Sequence, residues 1–168
     1  MAAAGRSRLY YYLYLAALAT WVSMIFVAPA IASSRKLRPL SGPIYFVFSA
    51  VCHQREDRCM HFLGEPLAAC SRCTFIYIGI LASSLLYPFT GWPKRPRVRY
   101  LFIAAAPLII DGGTQLVGFR ESTNTIRAIT GFVFGSAIAF YVAPEAIPVA
   151  YLVLDRLKKG KASATRRL

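Results

Sequence analysis

The sequence predicts an all-α, polytopic membrane helix bundle of about four transmembrane helices, with one further short apolar segment that is interfacial or re-entrant. Three observations point there. Hydrophobic residues make up 57% of the 168 positions and charged residues only 16%, against ~25% charged in a soluble domain. The apolar residues are gathered into long runs and do not recur at period 3.6 or 2. The basic residues lie between and after those runs, where topology and anionic headgroups favour Lys and Arg. The net charge of +13 is therefore read as membrane flanking, and no nucleic-acid partner is expected. The length suits a single membrane domain, 1–168.

The first span is expected over residues 9–32, "LYYYLYLAALATWVSMIFVAPAIA". It is uncharged and long enough to cross the ~30 Å hydrocarbon core. Its tyrosines and Trp21 suit the interfaces. Arg6 and Arg8 before the run and "APAIASS" at its end also fit a signal peptide. A signal h-region is ~7–15 residues, and this run is longer, so an uncleaved helix is expected. The polar break "SSRKLRPLSG" follows. Then "PIYFVFSAV", residues 43–51, is apolar but too short to span, and it leads into Cys52.

The second span is expected over residues 74–89, with a start as early as Cys70 allowed. "TGWPKRPRVR" is a basic turn. The third span, 100–119, carries Asp111 and Gln115, and the polar loop "RESTNTIR" follows it. The fourth, 128–154, is interrupted near its far end by Pro144, Glu145 and Pro148. A basic tail, 155–168, is expected to be loose.

Lys and Arg counts set the expected orientation. The N-terminus, the 91–99 turn and the tail carry twelve basic residues and one acid, whereas residues 33–73 and 120–127 carry eight and four. Both termini are therefore expected in the cytoplasm of a multi-pass cell-membrane protein. The 52–73 segment and the 120–127 loop are expected on the extracytoplasmic side.

All four cysteines and both histidines fall between Cys52 and Cys73: Cys52, His53, Cys59, His61, Cys70 and Cys73. One reading is a tetrahedral zinc site, with the C-x-x-C pair Cys70 and Cys73 joined by Cys52 and His53. A second is redox chemistry. A C-x-x-C at a helix start gains thiolate character from the helix dipole, and an even cysteine count outside the cytoplasm suits disulfides. No thioredoxin-like βαβ pattern accompanies it. A third is thiols that merely pack.

Asp111 within an apolar run costs ~2.5–3.5 kcal/mol on insertion scales, so it should face the bundle interior and be paired or protonated. Gln115, four residues on, shares its helix face. Arg120, Ser122, Asn124 and Arg127 follow, and Arg120 or Arg127 is the expected partner of Asp111. Asp111, Gln115, Arg120, Asn124 and Arg127 together read as a ligand-binding group for an anionic lipid headgroup or phosphate, or as a structural ion-pair network. Gly131 and Gly135 give the fourth span a small-xxx-small face for tight helix packing. In the four-span order the Cys/His group and this polar group fall on the same face of the bundle.

"CHQ", then Arg58, "CSRCTFIYIG" and "DGGTQLVGFRESTNTIRAITGFVFG" resemble an uncharacterised family of small prokaryotic membrane proteins, a domain of unknown function. Its signature reads CHQ, a following Arg, C-x-R-C-t-G-i-Y-x-G, then D-x-x-T-Q with R-x-S-x-N-x-x-R-x-x-T-G. The likeness covers roughly residues 43–140. By position it selects Cys52, His53, Gln54, Arg58, Cys70, Arg72, Cys73, Tyr77 and Gly79, and later Asp111, Thr114, Gln115, Arg120, Ser122, Asn124, Arg127 and Gly131. It does not select Cys59 or His61, and Phe75 stands where the family usually has Gly. The resemblance implies a membrane fold and ranks residues, but it implies no reaction.

The expectation is an integral membrane protein with an outward-facing metal site, zinc the expected ion, held by Cys52, His53, Cys70 and Cys73. The alternatives are a thiol–disulfide protein using Cys70 and Cys73, and an enzyme or carrier that binds lipid headgroups. Membrane lipids, anionic headgroups among them, are the expected partners.

Overall fold

The computed structural model describes residues 2–89 and 96–165, with side chains for residues 9–89 and 96–144. Five α-helices carry the architecture: α1 (Ala2–Ala32), α2 (Arg38–Ser49), α3 (Ser71–Leu86), α4 (Val98–Leu116) and α5 (Asn124–Thr165). Between α2 and α3 lies an irregular segment with a single hairpin of two-residue strands, β1 (His61–Phe62) and β2 (Glu65–Pro66). The basic turn expected at 91–99 falls largely outside the described residues, as do the last three residues of the tail.

Among the described residues, three stretches are long and apolar enough to cross a membrane: Leu9–Ala32, Ser71–Phe89 and Asn124–Pro144. The remaining expected span, α4, has 19 residues, or about 28 Å of helix. Arg99, Asp111 and Gln115 make it more polar than the other three. It ends at Leu116, short of the expected Phe119, because Gly118 takes a left-handed conformation (φ 70°). There Gly118 N–H donates to the Gln115 carbonyl at 3.2 Å and Phe119 N–H to that of Thr114 at 2.9 Å, the two bonds of a Schellman cap. α5 passes through Pro144 and Pro148 and continues into the basic tail, beyond the expected end at 154.

Side-chain contacts fix the helix directions. Tyr14 of α1 shares a 3.0 Å hydrogen bond with Ser84 near the end of α3, whereas Trp21 packs on Tyr77. α1 and α3 are therefore antiparallel. On α5, Gly131 and Gly135 lie against the backbone of Arg72 and Ile76, and Gly79 of α3 lies against that of Phe132 and Ser136. These pairs advance together, so α3 and α5 run parallel in close contact, as small residues at helix interfaces allow. α4 runs opposite to both. Tyr141 of α5 donates to the Arg97 carbonyl before α4, and Arg72 at the start of α3 meets Asp111 near the end of α4.

One end of the bundle thus gathers the end of α1, the start of α3, the end of α4 and the start of α5. The 50–70 segment packs over that end. Its anchor is a core of Ile25, Ala28, Phe48, Cys52, Leu67, Ala68 and Ala69. Pro29 has no N–H, so the Ile25 carbonyl one turn earlier loses its helical donor. Ala68 N–H supplies one at 3.3 Å and stitches the segment to α1. α2 holds the hairpin through the Tyr45 hydroxyl, which donates to the Pro66 carbonyl at 2.6 Å, and through Arg38 and Glu65, 3.4 Å apart. The hairpin turns on Leu63 and Gly64, both at positive φ, as a two-residue type I′ loop requires.

Candidate metal centre

Cys52, Cys70 and Cys73 place their Sγ atoms within 4.8 Å of one another. Local structure explains how residues so far apart in the chain meet. α2 ends in a tight turn in which Val51 and Cys52 N–H both donate to the Phe48 carbonyl, at 3.1 and 2.9 Å. Gln54 then reverses the chain in a left-handed conformation, φ 49°. Its side-chain amide donates to the Tyr45 and Ala68 carbonyls, at 2.7 Å each. Gln54 therefore clamps the segment bearing Cys52 to the one leading into Cys70. Cys70 is the extended N-cap of α3, and Cys73 lies one turn on.

The Cys52 sulfur accepts N–H bonds from Cys70 at 3.2 Å and from Gln54 at 3.4 Å. Hydrogen bonds to an ionised group favour that form. The Cys70 and Cys73 thiols act first and these two N–H groups add to them, so the Cys52 thiol is pulled down to about 2 against the opposing effect of burial. The Cys70 thiol, bonded to the Cys52 sulfur, is held above its ordinary value.

The other soft-ligand candidates stand apart from this triad. His53 is exposed, and its ring is not among the grouped donors. It does line the same cavity, of about 360 Å³, as the three cysteines. Cys59 is 2% exposed, lies outside the group, and burial pushes its thiol up to about 12. His61 begins the hairpin, 3.9 Å from Glu56.

A polar network adjoins the thiols. Arg72, between Cys70 and Cys73 in the chain, donates to one oxygen of the Asp111 carboxylate. Arg120 donates to the other at 2.9 Å, and also to the Thr114 hydroxyl at 3.3 Å. Asp111 is 1% exposed, and the two arginines compensate its buried charge. Of the two expected partners, Arg120 pairs with Asp111. Arg127 instead donates to the Asn124 side-chain oxygen at 2.9 Å, and Asn124 in turn donates to the Cys59 carbonyl at 3.3 Å. Gln115 lines a second cavity, of about 540 Å³, together with Arg55, Arg58, Arg120, Ser122 and Arg127. Reading by residue type overlooks Arg58, which only the family signature marks, and it ties Arg72 to the thiols but not to Asp111. Gly112 gives Arg72 its room: a Cβ there would lie 3.3 Å from the guanidinium.

The model of a family described as "Predicted membrane protein (DUF2085)" matches residues 52–141, a stretch that begins at Cys52 and holds every residue of both groups. The uncharacterized protein MJ1492 of Methanocaldococcus jannaschii is 38% identical over 149 residues, covering 84% of this chain and 96% of that protein. An uncharacterized protein of Methanothermobacter thermautotrophicus is 38% identical over 94 residues, covering 55% of this chain and 84% of its own length. No solved structure matches the chain.

Proposed function

The chain belongs to the DUF2085 family of predicted membrane proteins, and from that premise we propose that it holds a transition metal, zinc first, at Cys52, Cys70 and Cys73. The observation that carries this reading is the approach of the three sulfurs to within 4.8 Å. Ligands about 2.3 Å from a tetrahedral zinc lie ~3.8 Å apart, so the group fits such an ion. The N–H donors on Cys52 are the kind of outer partner that orients a metal-bound thiolate.

His53, next in the chain to Cys52 and on the same cavity, is the candidate fourth ligand. With it the site is closed and structural, tying the 43–70 segment onto the bundle. Without it the fourth position opens to the cavity, as in catalytic zinc sites. The Lys and Arg balance supports an extracytoplasmic site with both termini in the cytoplasm. A Cys70–Cys73 disulfide is the rival chemistry. It would leave Cys52 with its N–H donors and no thiol partners, which favours the metal.

Native mass spectrometry of the detergent-released protein tests the reading. A zinc-sized mass should be present on the folded chain, vanish on denaturation with four free thiols, and be lost in Cys52→Ser. Retention in His53→Ala would mark an open site. A metal-free chain whose denatured mass is short by two hydrogens would replace zinc with the disulfide.

A further inference from the structure

The second cavity carries more positive charge than the protein neutralises. Arg55, Arg58, Arg120 and Arg127 line it, against Asp57 and Glu121. Asp57 is engaged by Arg55 at 3.1 Å and by Arg58 at 3.6 Å. Arg120 is engaged by Asp111, which it shares with Arg72. Arg127 is left over. It is only 5% exposed, and its Nε is buried with no hydrogen-bond partner. Its NH1 meets the neutral side chain of Asn124, and among the described residues it pairs with no carboxylate. A guanidinium that deep is costly without a counter-charge. The arginines whose charges act on it, Arg58 and Arg72, add to the deficit.

We infer that this cavity binds a phosphate-type oxyanion, with Arg127 as its buried anchor and Arg55 and Arg58 at its rim. Planar guanidinium forks match the several oxygens of a phosphate, and a dianion balances the two positive charges left over among the lining residues. Free phosphate and the phosphate of an anionic lipid headgroup share this chemistry. The cavity lies where α4 ends and α5 begins, at the end of the spanning helices, within reach of either. Arg55 and Arg58 also line the cavity of the three cysteines, so the two sites share a wall. The inference does not rest on the metal.

The full chain in phosphatidylcholine nanodiscs is titrated calorimetrically with inorganic phosphate and, separately, with a short-chain phosphatidic acid. At least one probe should bind saturably. Arg127→Lys, which keeps the charge but loses the fork, should weaken it roughly tenfold or more. Arg55→Gln should weaken it several-fold; Arg55 is 59% exposed, so this variant decides the matter if Arg127→Lys does not fold. Tighter binding of phosphatidic acid identifies a lipid headgroup, and equal binding identifies free phosphate. Binding of neither probe, or binding that survives both arginine substitutions, would overturn the inference.

Discussion

Arg72, the second residue of α3, donates a hydrogen bond to the carboxylate of Asp111 near the end of α4. Because Arg72 stands inside the C-x-x-C pair, one helical turn carries both the thiols and the link to the acid. Removing the carboxylate leaves Arg72 and Arg120 without a counter-charge. Asp111→Ala should therefore cost about 3–5 kcal/mol, read as a lowered melting temperature in detergent. Arg120→Ala should cost about 1 kcal/mol or less, since the Arg120 side chain is 40% exposed and Arg72 remains. Equally small losses in both variants would remove Asp111 from the centre of the network.

The α3–α5 contact gives a second prediction. A Cβ at Gly135 would collide with the Ile76 backbone, and one at Gly131 would come within 2.5 Å of the Arg72 carbonyl. Backbone cannot step aside as a side chain can. Gly135→Ala should therefore destabilise by about 1–3 kcal/mol. Gly113, with nothing within 4 Å of its added Cβ, is the control. Gly113→Ala should be neutral or stabilising by up to about 1 kcal/mol. Matching effects at the two glycines would mean that α3 and α5 are not so closely packed.

The spans are legible because long uncharged runs such as 9–32 admit few other structures. Cys52, Cys70 and Cys73 are legible as a group because cysteine is confined to one stretch of the chain. The family likeness already passes over Cys59 and His61, but the separation from His53 is not legible, since it depends on the left-handed turn at Gln54 and its clamp on two carbonyls. Pro29 announces an orphaned carbonyl at Ile25, but only the fold shows that Ala68 takes it. Arg120, nine positions from Asp111, is legible as its partner, but the second partner, Arg72, is 39 positions away, between the cysteines, and no local pattern connects the two. The hairpin at 61–66 is too short to show alternation.

Thiol reactivity should follow burial and hydrogen bonding. In chelator-treated protein at pH 7, iodoacetamide should modify Cys52 first and Cys59 last, as read by peptide mapping. Cys52 lines a cavity, and the hydrogen bonds to its sulfur, first from the Cys70 and Cys73 thiols, hold its thiol well below the ordinary value. Burial raises the Cys59 thiol from 9.0 to about 12. A raised value means that the neutral thiol contributes stability fully below pH 9.0, and loses it only as pH climbs towards about 12. Equal alkylation of Cys59 and Cys52 at neutral pH would contradict that environment.

The helix directions make sidedness a single question, because the thiols, Asp111 and the arginine cavity all lie at one end of the bundle. The proposed orientation, which rests on the Lys and Arg balance, has that end outside. Ser41 and Ser122 are buried and would make poor reporters, whereas Thr123 and Val98 are exposed at opposite ends. With the wild-type chain as the control for native cysteines, Thr123→Cys should react with an impermeant maleimide in intact cells. Val98→Cys should react only after lysis. The reverse pattern would turn the site to the cytoplasm, where thiols are kept reduced. That outcome would overturn the proposed orientation yet leave the metal reading standing, because a reducing compartment removes the disulfide as its rival.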